Sequence, residues 1–132
     1  MTLNFLASRR IFMSIGLAVC VLALSACGGG SGTSSSDGLS IDSLTYSPST
    51  PSSGDPVSAV ATVSYTGTVT SSGITYAWTQ TSGPSVSLTG SSAATVYFTA
   101  PTVTSSTEVV LKLTISANSV SAAKSVTITV SP

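Results

Sequence analysis

The sequence predicts an all-β sandwich of about seven short strands over its last two thirds. Three observations carry that prediction. Val57, Ala59, Ala61, Val63 and Tyr65 alternate with Ser58, Thr62 and Ser64, the period of two that gives a strand one buried and one solvated face. Clusters of Gly, Pro and Ser break the chain about every ten residues, the spacing of a sandwich. After Cys27 no stretch has helical periodicity, while Val, Ile, Leu and Thr abound from residue 39 onward and favour the pleated, half-buried state.

Taken in order, Leu39–Tyr46 forms a first strand with imperfect alternation, ended by Ser47-Pro48 and the turn cluster Pro51–Pro56. Val57–Tyr65 is the second. Gly67 to Gly73 reads as a loop with a short strand piece at Val69. Ile74, Tyr76 and Trp78 share one face of the next strand, which stops at Ser82-Gly83-Pro84. Val86–Leu88 is expected as a short strand. In Thr95–Thr99, Val96 and Phe98 point one way and Tyr97 the other. Val109, Leu111, Leu113 and Ile115 make the clearest strand. Asn118-Ser119 is the expected turn, and Val126, Ile128 and Val130 close the domain.

The front of the chain follows different rules. Arg9-Arg10 ends a positive segment, Ile11 to about Leu24 is apolar, and Ser25-Ala26 is a small-residue exit; this charge–apolar–small order is what a secretory signal requires. As a helix, Ile11–Ala26 would span about 24 Å, short of the roughly 30 Å hydrocarbon core, and no basic stop-transfer cluster follows. An ordinary signal peptide and an uncleaved anchor are the alternatives. The Arg pair lacks the wider surroundings of a twin-arginine signal.

Leu24-Ser25-Ala26-Cys27 resembles a bacterial lipobox. The resemblance implies cleavage between Ala26 and Cys27, with residues 1–26 as the signal peptide. It also implies diacylglycerol on the Cys27 sulfur and a further acyl chain on the freed amine. At about 0.8 kcal/mol per buried CH₂, one chain holds marginally and two or three hold firmly. Gly28, rather than Asp, follows the cysteine. In a Gram-negative bacterium that favours the outer membrane. Cys20 lies in the signal core, so the mature domain is expected to carry no disulfide. Its roughly ninety residues rely on packing alone, which domains of about 55–65 residues already manage.

Residues 27–38 are the lipidated terminus and a linker. Gly28–Gly38 has no apolar side chain and is expected to be a flexible tether with a typical span of about 18 Å and a limit near 38 Å. Its glycines do not make a phosphate loop, because no Lys-Ser/Thr ending, preceding strand or following helix accompanies them.

Tyr76-Ala77-Trp78-Thr79-Gln80-Thr81-Ser82-Gly83-Pro84, then Val86-Ser87-Leu88, then Val96-Tyr97-Phe98-Thr99-Ala100-Pro101, resembles a bacterial polycystic-kidney-disease (PKD)-like domain. The similarity continues through Val109–Ile115 and the last strand, so it covers most of residues 39–132. It implies an immunoglobulin-like fold. The family often has an acidic residue and a glycine in the turn before the last strand. Here Ala117-Asn118-Ser119-Val120 stands instead, and no metal role is carried over to that corner.

Composition excludes several functions. Charged residues are 6% of the chain, against about 25% in an average soluble domain. Beyond the signal only Lys112 and Lys124 are basic, and Asp37, Asp42, Asp55 and Glu108 acidic. Such a set cannot neutralise a run of phosphates, which argues against nucleic acid as a partner. No histidine is present, removing the usual neutral-pH general base. A Ser/Lys pair could stand in, but neither lysine lies in a catalytic motif, so no enzymatic activity and no catalytic residue is expected.

Calcium takes about six to eight oxygen ligands. The four acids are spread without Asp-x-Asp spacing, so no metal or other cofactor is expected; the one pairing to consider is Asp42 with Asp55 at one end of the sandwich. Trp78 is expected in the core, as on the third strand of such sandwiches, rather than as a sugar platform. Tyr97 is the expected exposed aromatic.

The hydroxyl-rich faces leave strand edges poorly guarded by charge. These features point to a lipid-anchored, non-catalytic module of the bacterial envelope, on either side of the outer membrane. Membrane attachment is through Cys27, and the module docks an envelope protein or acts structurally. The alternative is surface adhesion or carbohydrate binding, which calls for a cluster of exposed aromatics. Docking calls for an accessible strand edge or a flat apolar patch.

Overall fold

The computed structural model describes residues 36–132; Leu24–Cys27, the segment expected to be a signal and most of the expected tether lie outside that range. Among the described residues, no helix is long and apolar enough to cross a membrane. The described chain forms an all-β sandwich of two three-stranded antiparallel sheets. Its strands are β1 (Gly38–Ser47), β2 (Pro56–Thr66), β3 (Thr75–Ser82), β4 (Thr95–Thr99), β5 (Thr107–Ala117) and β6 (Val120–Val130). One sheet has the order β1-β2-β4 and the other β3-β5-β6. These are the A-B-E and C-F-G sheets of an immunoglobulin-like sandwich.

The alternation read from the sequence becomes the core. Val57, Ala59 and Ala61 of β2, Val96 and Phe98 of β4, and Val109, Leu111, Leu113 and Ile115 of β5 are buried between the sheets. Trp78 of β3 joins them at 3% exposure. Its indole N–H donates to the Ala93 carbonyl at 3.0 Å, so the polar end of the ring is satisfied inside. No described polar or charged residue is buried.

Three elements differ from expectation. Val86–Leu88 is not a strand: this segment touches the sheet only through an isolated antiparallel bridge between Thr89 and Tyr97. It occupies the place of the fourth strand, D, of the immunoglobulin order, reduced to one bridged pair. Val69 is buried, at 6% exposure, yet belongs to no strand and leads into a single 3₁₀ turn, Ser71–Gly73. The last strand begins at Val120, six residues before Val126. Asn118 takes a positive φ of 51°, so a two-residue turn pairs Val120 directly with Ala117. Lys124 hides this longer strand in the sequence, because it stands in the inward-facing row with Ala122 and Val126.

The sandwich has two distinct ends. Gly38, Thr66 and the Asn118-Ser119 turn lie at one; Ser47, Pro56, Thr99 and Val130 lie at the other. Ten residues of β1 put these ends about 30 Å apart.

Candidate functional site

A sheet edge presents backbone N–H and C=O groups that need partners, so an edge left open is a candidate binding site. Between β1 and β6 the seam is spanned by Lys124, beside a bulge in the β1–β2 ladder. The register of β1 slips between Ile41 and Ser43, leaving Asp42 unpaired in the ladder. Lys124 reaches across from β6 and donates to the Asp42 carbonyl at 2.8 Å and the Ile41 carbonyl at 3.4 Å. Further along β6, Ser131 N–H donates to Pro51 O, and Ser53 N–H to Ser131 O, each at 2.9 Å. The β3 edge is capped where Trp78 N–H donates to Ser91 O at 2.8 Å.

The β4 edge differs. Bonds of Ala94 and Ala100 run toward the β2 side, to Ala61 and Asp55, whereas Tyr97 exchanges two 2.8 Å bonds with Thr89 on the other side. Even-numbered residues of β4 therefore face β2 and odd-numbered ones face outward. Thr99 faces outward, and its N–H and C=O make no backbone bond to a described residue. The antiparallel pair Thr89–Tyr97 would place Ser87 opposite Thr99, but the chain has already diverged there. Between them lies an open groove of about 480 Å³, lined by Pro56, Val57, Ser58, Ser87, Thr89, Tyr97, Phe98 and Thr99. None of these is charged. Pro56 stands across from Thr99, at a position where its missing N–H takes nothing from the β2–β4 ladder.

Tyr97 is 55% exposed beside this groove and Val60 39% exposed. Ser58 pairs with Tyr97 and Val60 with Thr95, so Val60 and Tyr97 are diagonal neighbours about 7–8 Å apart on the outer face. Around them the face is hydroxyl-rich, with Ser47 opposite Ser58 and Thr45 opposite Val60. Tyr65, at 42% exposure, lies near the other end of β2 and in the opposite row. The exposed aromatics thus do not cluster.

The remaining sequence-selected residues are kept apart. Asp42 accepts from the Ser64 hydroxyl at 2.8 Å. Asp55 accepts from the Ser52 N–H at 2.8 Å near the far end, so the two do not meet. Among the described residues no group of three acids or other metal ligands converges. Lys112 and Glu108 are exposed on β5, and Lys124 is engaged with carbonyls rather than with a serine hydroxyl. Cys27 and Ala26 lie outside the described residues.

Two constellations escaped sequence reading. Asp37, assigned to the tether, is stitched to the sandwich. One of its carboxylate oxygens accepts from the N–H and hydroxyl of Thr68 at 2.6 and 2.8 Å, and the other from Asn118 Nδ2 at 3.0 Å. The Thr68 N–H, then the Asn118 amide and Thr68 hydroxyl, hold the carboxyl below its ordinary pKa of 3.8. Gly67, with φ of 77°, gives this contact its room, because a Cβ there would collide with Asp37.

Gln80 is the second. Its amide donates to Ser82 O at 3.1 Å and Pro84 O at 2.6 Å, and its oxygen accepts from Val86 N–H at 3.0 Å. It shapes the loop leading to the groove. The only hint in the sequence was the Gln placed before Gly83-Pro84.

No protein-family model matches the chain, and no curated protein matches it. Among solved structures, the chain is similar to a nucleoside hydrolase-related hypothetical protein from Saccharophagus degradans that is associated with carbohydrate metabolism. The identity is 19%, the TM-score 0.45, and the match covers 62% of this chain and 21% of that one.

Proposed function

We propose that the chain is a bacterial lipoprotein, lipidated at Cys27 and held in the outer membrane. Its PKD-like module is non-catalytic and docks a protein of the cell envelope close to the bilayer. The observation that supports this most is the polarity of the sandwich. The chain enters at the Gly38 end, where Asp37 is fastened to Thr68 and Asn118. The unfinished β4 edge lies toward the other end, at Thr99. A module tied at one end and open at the other suits presentation of a binding edge away from its anchor.

Carbohydrate binding is the second reading, favoured by the uncharged, hydroxyl-lined groove beside Tyr97. It ranks second because a lone exposed ring offers a sugar one stacking face, and Tyr65 is too distant to add another.

The test compares wild type with Cys27→Ser in intact cells, by membrane fractionation and cross-linking. The variant is expected to stay an uncut precursor and to lose the wild-type adducts. Normal processing of the variant would overturn the lipoprotein reading, and unchanged adducts would overturn membrane-proximal docking.

A further inference from the structure

We infer that the groove at the β4 edge takes an extended, uncharged peptide segment of a partner protein, which adds as a strand beside Thr99; this rests on the docking reading above. Strand addition requires ladder groups without an internal partner, space beside them, and side-chain contacts that fix the register. The β4 edge supplies each. Thr99 is the next outward-facing residue after Tyr97, and no described backbone group occupies its N–H or C=O. The diverging Ser87 leaves a groove of about 480 Å³, within the roughly 300–1,000 Å³ of ligand sites.

The occupant's chemistry follows from the lining. Every lining residue is uncharged, so a charged side chain entering the groove would meet no opposite charge there. Val57 and Phe98 lie on the core side of the groove, while Ser58, Tyr97 and Thr99 belong to the outer rows of β2 and β4. A strand laid against β4 sends alternate side chains to these two sides, so the fitting segment alternates apolar with small polar residues. The other edges do not offer this combination: Lys124 of β6 reaches the β1 carbonyls at the β1–β6 seam, and Ser91 caps β3 at Trp78.

The test uses the full-length protein in its membrane, with a photoreactive phenylalanine analogue at Ser87. Thr99→Pro removes the outward N–H without taking a bond from the β2 ladder. It is expected to lower the Ser87 adduct about tenfold or more while the melting temperature holds, as for proline on an edge strand. Thr99→Val keeps the N–H and is expected to keep the adduct. Tyr97→Lys, a change at an exposed position, places a charge on the edge and is expected to act like Thr99→Pro, which covers the case that the proline variant folds poorly. An adduct that survives both Thr99→Pro and Tyr97→Lys would overturn strand addition, and so would a glycan adduct lost in Thr99→Val. Adducts from other surface positions but not from Ser87 would overturn the groove and leave docking standing. No adduct from any position would overturn docking itself.

Discussion

Trp78 shows how one residue links composition to stability. It is the single tryptophan of the chain, sits in the core-facing row of β3 in register with Leu113 of β5, and has its indole N–H satisfied by Ala93. Trp78→Ala removes that packing and leaves a cavity, at an expected cost of about 3–5 kcal/mol. Denaturant unfolding measures it, and unchanged stability would remove Trp78 from the core. Asp37 makes a different residue-scale prediction. Its hydrogen bonds depress the carboxyl pKa in the folded state, so its contribution is present above the unfolded value of about 3.9. That contribution declines as pH falls through the folded value. Melting temperatures from pH 7 down to 2 are expected to fall less steeply in Asp37→Asn than in wild type. Identical slopes would mean that the stitch at the Gly38 end adds nothing.

Among the elements, the edge strands differ most in how they are protected. β6 carries Lys124 in its inward-facing row, and the ammonium lies over the carbonyls of the β1 bulge. An inward charge and a bulge both discourage edge-to-edge pairing. Lys124→Val should make the inner row of β6 continuously apolar and the protein more prone to self-association, read by sedimentation at rising concentration. A variant that stays monomeric would leave Lys124 no guarding role.

The same element sets the start of the last strand at Val120. Lys124 interrupts the apolar alternation of Val120, Ala122 and Val126, so only Val126 to Val130 stood out in the sequence. Val86–Leu88 failed for the opposite reason. Its local pattern suits a strand, but a strand needs a partner in register, and Gln80 holds the backbone at Val86 instead. Local alternation does not report whether a neighbour is within reach.

At the scale of the whole molecule, charge is scarce. With charged residues at 6%, the docking we propose would rely on backbone groups and shape rather than on charge. The proposed anchor at Cys27 and the groove near Thr99 divide that work. In that proposal one would fix where the molecule sits and the other what it meets. Their separation makes the two proposals testable by different variants, Cys27→Ser and Thr99→Pro.

The sequence by itself determined the all-β class, because a period of two in Val57–Tyr65 and Val109–Ile115 can bury only one face of a strand. It also determined the buried Trp78 and the exposed Tyr97, whose neighbours Val96 and Phe98 take the inner row. Only the tertiary structure decided which edges are open. Pairing is a property of two segments distant in sequence: Tyr97 meets Thr89, Thr99 meets Pro56 of β2 but no described strand on its outward side, and Asp37 finds Thr68 and Asn118 only after three segments converge. No window along the chain contains those distances, so the groove, unlike the fold around it, had no signature in the sequence.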